Sequence, residues 1–288
     1  MKIIMCKLLI LTALLFSGLS AEAAISCSIS SPGFFSVYDG MAVTDNLNQS
    51  TYTINCTRLT TDPTTLNYIS FNDNGLYNTG ASNRAKLSAG TAYLNYNFFT
   101  TSSYASNWST SGNCIAGTVN FGSSLSGSQT QTYYAKIPAN QISLSSGTYI
   151  DTVTASMAYN QTACQNNASK DVSTTFQVQI NNTTSCQIAI APGEVAFSYT
   201  AFTASAATAS TSFSARCSTA TPYTMALDTT VGVVSGLNYS LVLSAPSGTG
   251  NGALQNYSIN GSMAAGQAGT CASSTCTASN QHVLTITY

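Results

Sequence analysis

The side chains with the greatest capacity for chemistry in this chain are its nine cysteines and its single histidine. A cysteine thiolate can attack a carbonyl carbon, bind zinc or oxidise to a disulfide, and a histidine can act as a general base. A serine or cysteine nucleophile needs such a base within hydrogen-bonding reach. His282 is the one imidazole that the sequence offers for this role. We therefore do not expect Ser-His or Cys-His catalysis.

Eight of the cysteines divide into two groups of four, one in each half of the chain. An even number of cysteines in an exported protein predicts disulfides. Each group allows three connectivities, and the internal repeat described below favours one of them. The favoured pairs are Cys27 with Cys56, Cys114 with Cys164, Cys186 with Cys217, and Cys271 with Cys276. Zinc at Cys271 and Cys276 is the alternative, but zinc takes about four ligands and only His282 lies nearby. We predict no metal and no cofactor.

Paired carboxylates are the other catalytic option, since a glycosidase needs only two acidic groups about 5 to 10 Å apart. The candidates are Asp39, Asp73, Asp151 and Asp228. They lie at or beside predicted strands and turns, and two of them recur at matching places in the two halves. This pattern favours structural roles in turns. We predict that the protein is not an enzyme.

The N-terminus has the features of a secretory signal. Lys2 and Lys7 precede an apolar run at residues 8–16, and Ala21-Glu22-Ala23 is a small-residue cleavage site. The apolar run is shorter than the roughly 20 residues that a transmembrane helix needs. We predict that residues 1–23 are a signal peptide, which also removes Cys6, and that the protein is exported to an oxidising compartment.

The composition is nearly neutral and rich in small polar residues. Charged residues make up 6% of the chain, against about 25% in ordinary globular proteins. Without the predicted signal, six basic and eight acidic side chains would be left. No basic patch is available for nucleic acid, which we exclude as a partner. Hydrophobic residues make up 44% of the chain, which indicates a folded protein.

The elements that must position these residues are predicted to be β-strands. Most apolar segments alternate with a period of two and are bounded by Gly, Asn, Ser or Pro, whereas no long stretch repeats at helical spacing. Clear alternation occurs at residues 51–54, 133–137, 149–159 and 176–180, with turn signals at Pro32-Gly33, Asn74-Gly75 and Pro192-Gly193. The predicted class is all-β, with two β-sandwich domains.

The two halves carry the same order of landmarks. The first copy runs from Cys27 through Cys56 and residues 94–96 to a Thr-rich strand at 152–159, and the second from Cys186 through Cys217 and residues 237–239 to 283–288. Only the first copy continues into a further alternating segment, at 172–180. We predict a first domain at 24–181, a linker at 182–185 and a second domain at 186–288. Longer insertions in the first copy suggest that its loops carry a separate task.

These landmarks resemble the spore coat protein U domain, the module of subunits in archaic chaperone–usher pili. The first half carries the resemblance in the Cys27 to Cys56 hairpin, the Leu94-Asn95-Tyr96-Asn97-Phe98 segment with Trp108 downstream, and residues 147–154 leading to Tyr159. The second half matches through Cys186, Cys217, residues 237–241 and Tyr288, but it lacks the tryptophan and the Gly-Thr-Tyr-x-Asp segment.

The resemblance implies two immunoglobulin-like sandwiches, each needing a final strand. The first domain would be closed in cis by a strand of this chain that contains Val172, Thr174, Phe176, Val178 and Ile180. The second domain would be completed in trans by a periplasmic chaperone and then by the next pilus subunit, delivered through an outer-membrane usher. The residues expected at this acceptor groove and chaperone contact are Val283, Leu284, Ile286 and Tyr288. Only three residues would precede Cys27 after signal cleavage, too few for a donor strand. We therefore expect a fibre tip subunit.

A ligand-binding surface is expected at the far pole of the first domain, where residues 58–67, 100–121 and 160–171 would converge. The candidate adhesive residues are Leu59, Leu66, Tyr104, Trp108, Ile115, Val119 and Phe121. Their apolar character predicts an interaction patch if they are exposed. The alternative is that they are pinned into small satellite cores under the loops. Asp62, Asn107 and Asn113 are candidates for a sugar site, although such residues more often bond their own turns.

The sequence thus predicts a pilus tip adhesin that mediates cell attachment and biofilm formation, exported through the periplasm to the cell surface. The alternatives are a non-adhesive adaptor or coat-like structural protein and a secreted sugar-binding protein. An exposed apolar patch at the far pole would distinguish the adhesin from the non-adhesive adaptor or coat-like protein. The surface or host ligand is not identified by the sequence.

Overall fold

The computed structural model describes residues 25–288 except Pro32, Ala81, Thr110, Ser111 and 166–168. The predicted signal peptide and the proline of the predicted Pro32-Gly33 turn lie outside the described residues. Every regular element in the described part is a β-strand, which confirms the all-β prediction. No helix in this part of the chain is long and apolar enough to cross a membrane.

The strands form two β-sheet bodies, one before and one after residue 183. The first contains ten strands. They are β1 (Ser26–Ser30), β2 (Phe34–Tyr38), β3 (Asn46–Thr57), β4 (Thr65–Gly75), β5 (Asn83–Leu87), β6 (Tyr93–Phe99), β7 (Ile115–Asn120), β8 (Ser126–Ile137), β9 (Gly147–Tyr159) and β10 (Val172–Asn182).

The first body has two layers that are joined at one edge. One layer has the strand order β1-β3-β8-β6, and the other contains β4, β7, β9, β10 and β2. Strand β5 pairs with both β6 and β9 and so links the layers. In β3 the alternation predicted at residues 51–54 is observed, because Tyr52 and Ile54 are buried while Thr51 is exposed.

Strand β10 closes the first body from within the chain. It pairs antiparallel with β9 along its whole length and parallel with β2 over Val178 to Asn182. Phe176, Val178 and Ile180 are buried in the core, as the shared face in the sequence predicted. Val172 lies at the edge of that core.

The second body contains eight strands. They are β11 (Cys186–Ile190), β12 (Ala207–Cys217), β13 (Pro222–Leu227), β14 (Val231–Val234), β15 (Leu237–Leu243), β16 (Ser247–Thr249), β17 (Gln255–Met263) and β18 (Leu284–Thr287). They form one sheet with the order β11-β12-β17-β15-β14 and a second with the order β16-β13-β18.

The two bodies repeat one topology. The order β11-β12-β17-β15-β14 reproduces β1-β3-β8-β6-β5, and β13 pairs with β16 and β18 as β4 pairs with β7 and β9. Four disulfides are present, and each joins a pair favoured by the repeat. Cys27–Cys56 and Cys186–Cys217 each link the first strand of a body to its sheet neighbour, with Cα atoms 4.0 and 4.1 Å apart. The Cys271–Cys276 disulfide removes both thiolates as zinc ligands.

The bodies touch through turns at their facing ends. Ser145 and Thr219 form an isolated parallel β-bridge, and the Thr219 hydroxyl donates to the backbone oxygen of Ser143 at 3.0 Å. Ser185 Oγ lies 3.4 Å from Asp39 Oδ2 across the same junction. Backbone and short side chains therefore make this contact.

Candidate functional site

The main candidate site is a gap in the second body, where the first body has two more strands. The counterparts of β10 and β2 are not found as strands among the described residues. Residues 194–200 follow Pro192-Gly193 as β2 follows Gly33, yet they form no strand. Beyond β13, no strand pairs with β18 in the described part of the chain. The edge of β18 that corresponds to the β10-facing edge of β9 is therefore uncovered.

The apolar side chains beside this gap are incompletely buried. In β9, the core-facing Val153, Ala155 and Met157 are covered by β10 and have almost no exposed surface. In β18, Leu284 and Ile286 face the core of the second body but are only half-buried. The difference is expected if one covering strand is missing, because a sheet edge without a neighbour exposes its side chains and its backbone N–H and C=O groups.

The opposite wall of the gap is the segment at 191–200. Val195, Phe197 and Tyr199 alternate along it, and all three are half-buried against the core of the second body. The Tyr199 hydroxyl donates to the backbone oxygen of Ala264 at 2.9 Å, which holds the segment near β17. From the correspondence with β2 and β10 of the first body, we infer a groove with apolar walls between residues 195–199 and β18, here called the acceptor groove.

The residues predicted for this groove fall into two sets. Leu284 and Ile286 face the core and line the groove, whereas Val283 and Tyr288 are more than half exposed. The exposed pair flanks β18 and lies where a partner approaching the strand would meet it. Val195, Phe197 and Tyr199 were missed by the sequence analysis, although their alternation after Pro192-Gly193 is visible in the sequence.

A hydrogen-bonded cluster anchors the start of β18. His282 Nδ1 lies 2.8 Å from Asp228 Oδ1, and His282 Nε2 lies 2.7 Å from the hydroxyl of Tyr239. The hydrogen bond with His282 is the main cause that holds the pKa of Asp228 below its usual value. The side-chain amide of Asn280 donates to the same tyrosine hydroxyl at 2.9 Å. These bonds tie the chain just before β18 to β15 and to the end of β13.

The cluster resembles an Asp-His relay only in part. A nucleophilic relay needs a serine or cysteine beside the imidazole, whereas Tyr239 occupies that place and also accepts a hydrogen bond from Asn280. Its geometry fits a structural anchor that fixes where β18 begins.

The predicted adhesive patch at the far pole is largely buried. Leu66 of β4 and Val119 of β7 are cross-strand partners that point into the core. Trp108 is 2% exposed and stacks on both Tyr52 and Tyr133, with ring centroids 5.3 Å apart in both pairs. These apolar residues are satisfied by packing, so the exposed patch is corrected for Leu66 and Val119. For Trp108 the structure confirms the alternative of burial, which its large ring favours.

The other members of the predicted patch do not form one surface. Phe121 is 4% exposed and lies beneath the Arg58 guanidinium, whose carbon is 5.7 Å from the ring centroid, so it too is removed from the exposed set. Tyr104 packs on Phe99 and Tyr134 of the first layer, away from the pole. Ile115 is half-buried at the start of β7. Leu59 is 57% exposed.

Among the alternative sugar residues, the Asp62 side chain bonds its own turn, whereas Asn107 and Asn113 are exposed and contribute to local structure through their backbone. Asp62 Oδ2 accepts a hydrogen bond from the backbone N–H of Leu59 at 2.7 Å, and Asp62 is itself buried. The backbone oxygen of Asn113 accepts from the N–H of Ser109 at 2.9 Å, and Asn107 forms a β-bridge with Phe99. The far pole is thus a packed set of turns, tied by Cys114–Cys164 to the loop after β9.

Several solved structures are similar to this chain at low sequence identity. The CupB6 tip adhesin from Pseudomonas aeruginosa is 11% identical, with 92% of this chain and 96% of that chain covered and a TM-score of 0.37. A chaperone–tip adhesin complex of CFA/I fimbriae is 10% identical, covering 91% and 83%, with a TM-score of 0.31. The CooA pilin subunit from enterotoxigenic Escherichia coli is 10% identical, covering 55% and 99%, with a TM-score of 0.34.

All three TM-scores lie below 0.5, so the family assignment depends on the sequence. A comparison with curated proteins finds no match. The family of the Spore Coat Protein U domain matches residues 13–156 and 172–241, which together make up more than half of the chain. The chain therefore belongs to the spore coat protein U domain family.

Proposed function

We propose that this protein is the tip adhesin of a surface fibre built by the chaperone–usher pathway, and that its second body accepts a strand from a partner. The uncovered gap between β18 and residues 195–199 carries this proposal. An added strand would gain main-chain hydrogen bonds along β18, and its alternate side chains would enter the apolar groove. The partners would be a periplasmic chaperone first and the next fibre subunit afterwards, with an outer-membrane usher between them.

The tip position is supported by the difference between the two bodies. The first body is closed by its own β10, so it offers no groove to a neighbouring subunit. A chain with one closed and one open body would be joined to its fibre through the second body alone. The first body, at 24–181, would then face outward and contact the target surface, and residues 182–185 would link it to the second body at 186–288. Attachment and biofilm formation are the proposed outcome.

Soluble yield of the exported chain, with and without a grafted strand, tests the proposal. A copy of residues 160–180 with Cys164 changed to serine is appended after Tyr288, which reproduces the connection between β9 and β10. A matched graft carries serine in place of Phe176, Val178 and Ile180. A third sample is co-expressed with a candidate chaperone. We expect soluble monomer from the intact graft and from co-expression, because only these fill the groove.

Two results would contradict the acceptor groove. One is a stable soluble monomer from the unmodified chain without a chaperone. The other is equal yield from the intact and the serine-substituted grafts, since the apolar side chains would then contribute nothing to completion.

A second candidate is a non-adhesive adaptor or coat subunit with the same groove. The burial of Leu66, Trp108, Val119 and Phe121 favours it, because the far pole then lacks the apolar patch that the adhesin prediction invoked. Attachment of cells that display the assembled fibre separates the two. An adaptor predicts normal fibres and no change in attachment when the first body is deleted.

A further inference from the structure

Two cationic side chains on β5 and two neighbouring tyrosines form a group that neither the fold nor the acceptor groove accounts for. Arg84 and Lys86 are two residues apart on β5, so their side chains point to the same face. Six Lys and Arg residues lie in the described part of the chain, and two of them are placed together here. In so weakly charged a protein, this is a local concentration of positive charge.

Neither cation is neutralised by an acidic group in the described structure. Lys136 pairs with Asp45 and Lys170 with Asp73. Arg84 and Lys86 form no ion pair with any described residue. Their charges are therefore available to an anion from outside the chain.

Two tyrosines support the cations. The Arg84 guanidinium lies 4.4 Å from the ring centroid of Tyr93, and Lys86 Nζ lies 6.0 Å from that of Tyr77. The two rings are in edge contact at 5.6 Å. Arg84 Nε also donates to the backbone oxygen of Tyr77 at 2.9 Å, which orients the guanidinium. Its terminal N–H groups donate no hydrogen bond to the described residues and match the two oxygens of a carboxylate or sulfate.

A hollow with both polar and apolar lining adjoins these side chains. Strand β9 exchanges partners here, because β4 leaves it at Gly75 opposite Val153 and β5 joins it at Lys86 opposite Ile150. The loop between the two strands leaves a hollow, which is lined by Leu76, Tyr77, Lys86, Leu87, Ser88, Ile150, Asp151 and Thr152. A concave surface that combines apolar side chains with a few oriented polar groups is the usual form of a small-ligand site.

Asp151 lines the hollow but forms no ion pair with either cation in the described structure. Its Oδ1 accepts hydrogen bonds from the N–H groups of Leu76 and Thr152, and its Oδ2 accepts from the hydroxyl of Tyr96 at 2.7 Å. Burial is the main cause that raises the pKa of this carboxyl group. The carboxylate is saturated by internal donors, so it is not available to Arg84 or Lys86.

We propose that Arg84, Lys86, Tyr77 and Tyr93 form a binding site for an anionic sugar residue. Its carboxylate or sulfate would lie on the two cations, and its ring would rest in the hollow beside Tyr77. The site is on the side of the first body, away from the far pole where the sequence analysis placed adhesion. Its use at a target surface rests on the proposed adhesin function, whereas sugar binding by the purified chain does not require fibre assembly.

Calorimetry on the full exported chain tests this site with defined probes, and the intact graft after Tyr288 is included so that solubility does not depend on a chaperone. The probes are a galacturonic acid tetramer, the same tetramer as its uncharged methyl ester, and a sulfated tetrasaccharide. Lys86→Gln is the main variant because Lys86 donates no hydrogen bond within the described fold. Tyr93→Leu removes the support for Arg84. Lys136→Gln is the matched control, since it removes a cation from the other layer. Thermal unfolding of each variant verifies folding.

We expect an acidic tetramer to bind and the ester to bind at least about tenfold more weakly, because a charge-assisted hydrogen bond is lost. Lys86→Gln and Tyr93→Leu should each weaken binding about tenfold, Lys136→Gln should not, and added salt should weaken binding. Preference for the carboxylated or the sulfated tetramer identifies the anion. No binding of either, equal binding of acid and ester, or binding unchanged by Lys86→Gln in folded protein would overturn the site. None of these results depends on the acceptor groove.

Discussion

The buried pair Tyr96 and Asp151 shows how single polar groups are held in this core. Both residues are at most 1% exposed, and among the described residues the Tyr96 hydroxyl is the only side-chain donor to Asp151. Tyr96→Phe leaves Asp151 Oδ2 buried without this partner. We expect a loss of about 1.5 to 3 kcal/mol in the free energy of unfolding at pH 7, measured by urea denaturation.

The pH dependence of that loss provides its control. The hydrogen bond from Tyr96 lowers the pKa of Asp151 against the larger effect of burial, so the bond favours the charged form. As the pH falls through the pKa of Asp151, the carboxyl group binds a proton in both proteins and the penalty of Tyr96→Phe should shrink. A penalty that is constant from pH 7 to pH 4 would show that the lost hydrogen bond to the carboxylate is not its cause.

Trp108 and Leu59 separate core from surface within one predicted patch. Trp108 donates from Nε1 to the backbone oxygen of Ser70 at 2.9 Å and stacks on two tyrosines, so Trp108→Ala should cost about 3 to 5 kcal/mol of stability. Leu59→Ala should change stability by less than about 0.5 kcal/mol, because the side chain is mostly exposed. Urea denaturation of both variants measures the difference, and similar effects would contradict the packing described.

At the residue scale, the sequence predicted which cysteines form disulfides better than it predicted which side chains are exposed. The cysteine pairs followed from the repeat, and the structure contains them. The location of Trp108 did not follow, because a loop tryptophan can be displayed or folded inward, and that choice depends on contacts with strands distant in sequence. The proposed site at Arg84 and Lys86 was also missed. It forms where β9 exchanges β4 for β5 as its neighbour, and this strand pairing is not visible in the sequence.

At the scale of elements, β18 depends on the anchor formed by His282 and Asp228. The folded pKa of Asp228 is lower than its ordinary value of 3.8, so the group stabilises the fold above that value. This contribution is lost as the pH falls through the lower folded pKa. We expect the amides of β18 to exchange hydrogen faster at pH 3 than at pH 5, after correction for intrinsic rates. Asp228→Asn should remove this pH dependence, and its persistence in the variant would contradict the anchor.

The strand that closes the first body also illustrates what alternation can predict. The period of two in residues 172–180 predicted both β10 and its buried face, because that pattern needs only local sequence. The parallel pairing of β10 with β2 needed the fold. The second family match begins at Val172, the first residue of β10. The family match therefore groups β10 with the second copy of the module, whereas the strand pairing of β10 completes the first body.

The counterpart of β2 shows the limit of the same reasoning. Val195, Phe197 and Tyr199 alternate as a strand should, yet residues 191–200 are not paired as one. A strand is defined by its hydrogen-bonded neighbour as well as by its own pattern. Here the neighbour that β10 supplies in the first body has no counterpart in the described chain.

At the scale of the whole molecule, the junction between the bodies depends on a close backbone approach. Gly252 of the second body has φ +77°, and a methyl group added there would clash with the backbone oxygen of Ile142 in the first body. Gly266 has the same φ but has open space around the added methyl position. Comparison of alanine substitutions at these two glycines separates two effects. Both substitutions strain the backbone, but only the one at Gly252 creates a clash.

We expect Gly266→Ala to cost about 1 kcal/mol of stability, since alanine is strained at positive φ. Gly252→Ala should show the same strain and should in addition push the bodies apart, because a backbone oxygen cannot move aside as a flexible side chain can. Small-angle scattering should then give a larger maximum dimension for Gly252→Ala than for Gly266→Ala. If both variants scatter alike, the contact at Ile142 does not fix the relative placement of the bodies, and a first body that projects outward from the fibre would be free to pivot on residues 182–185.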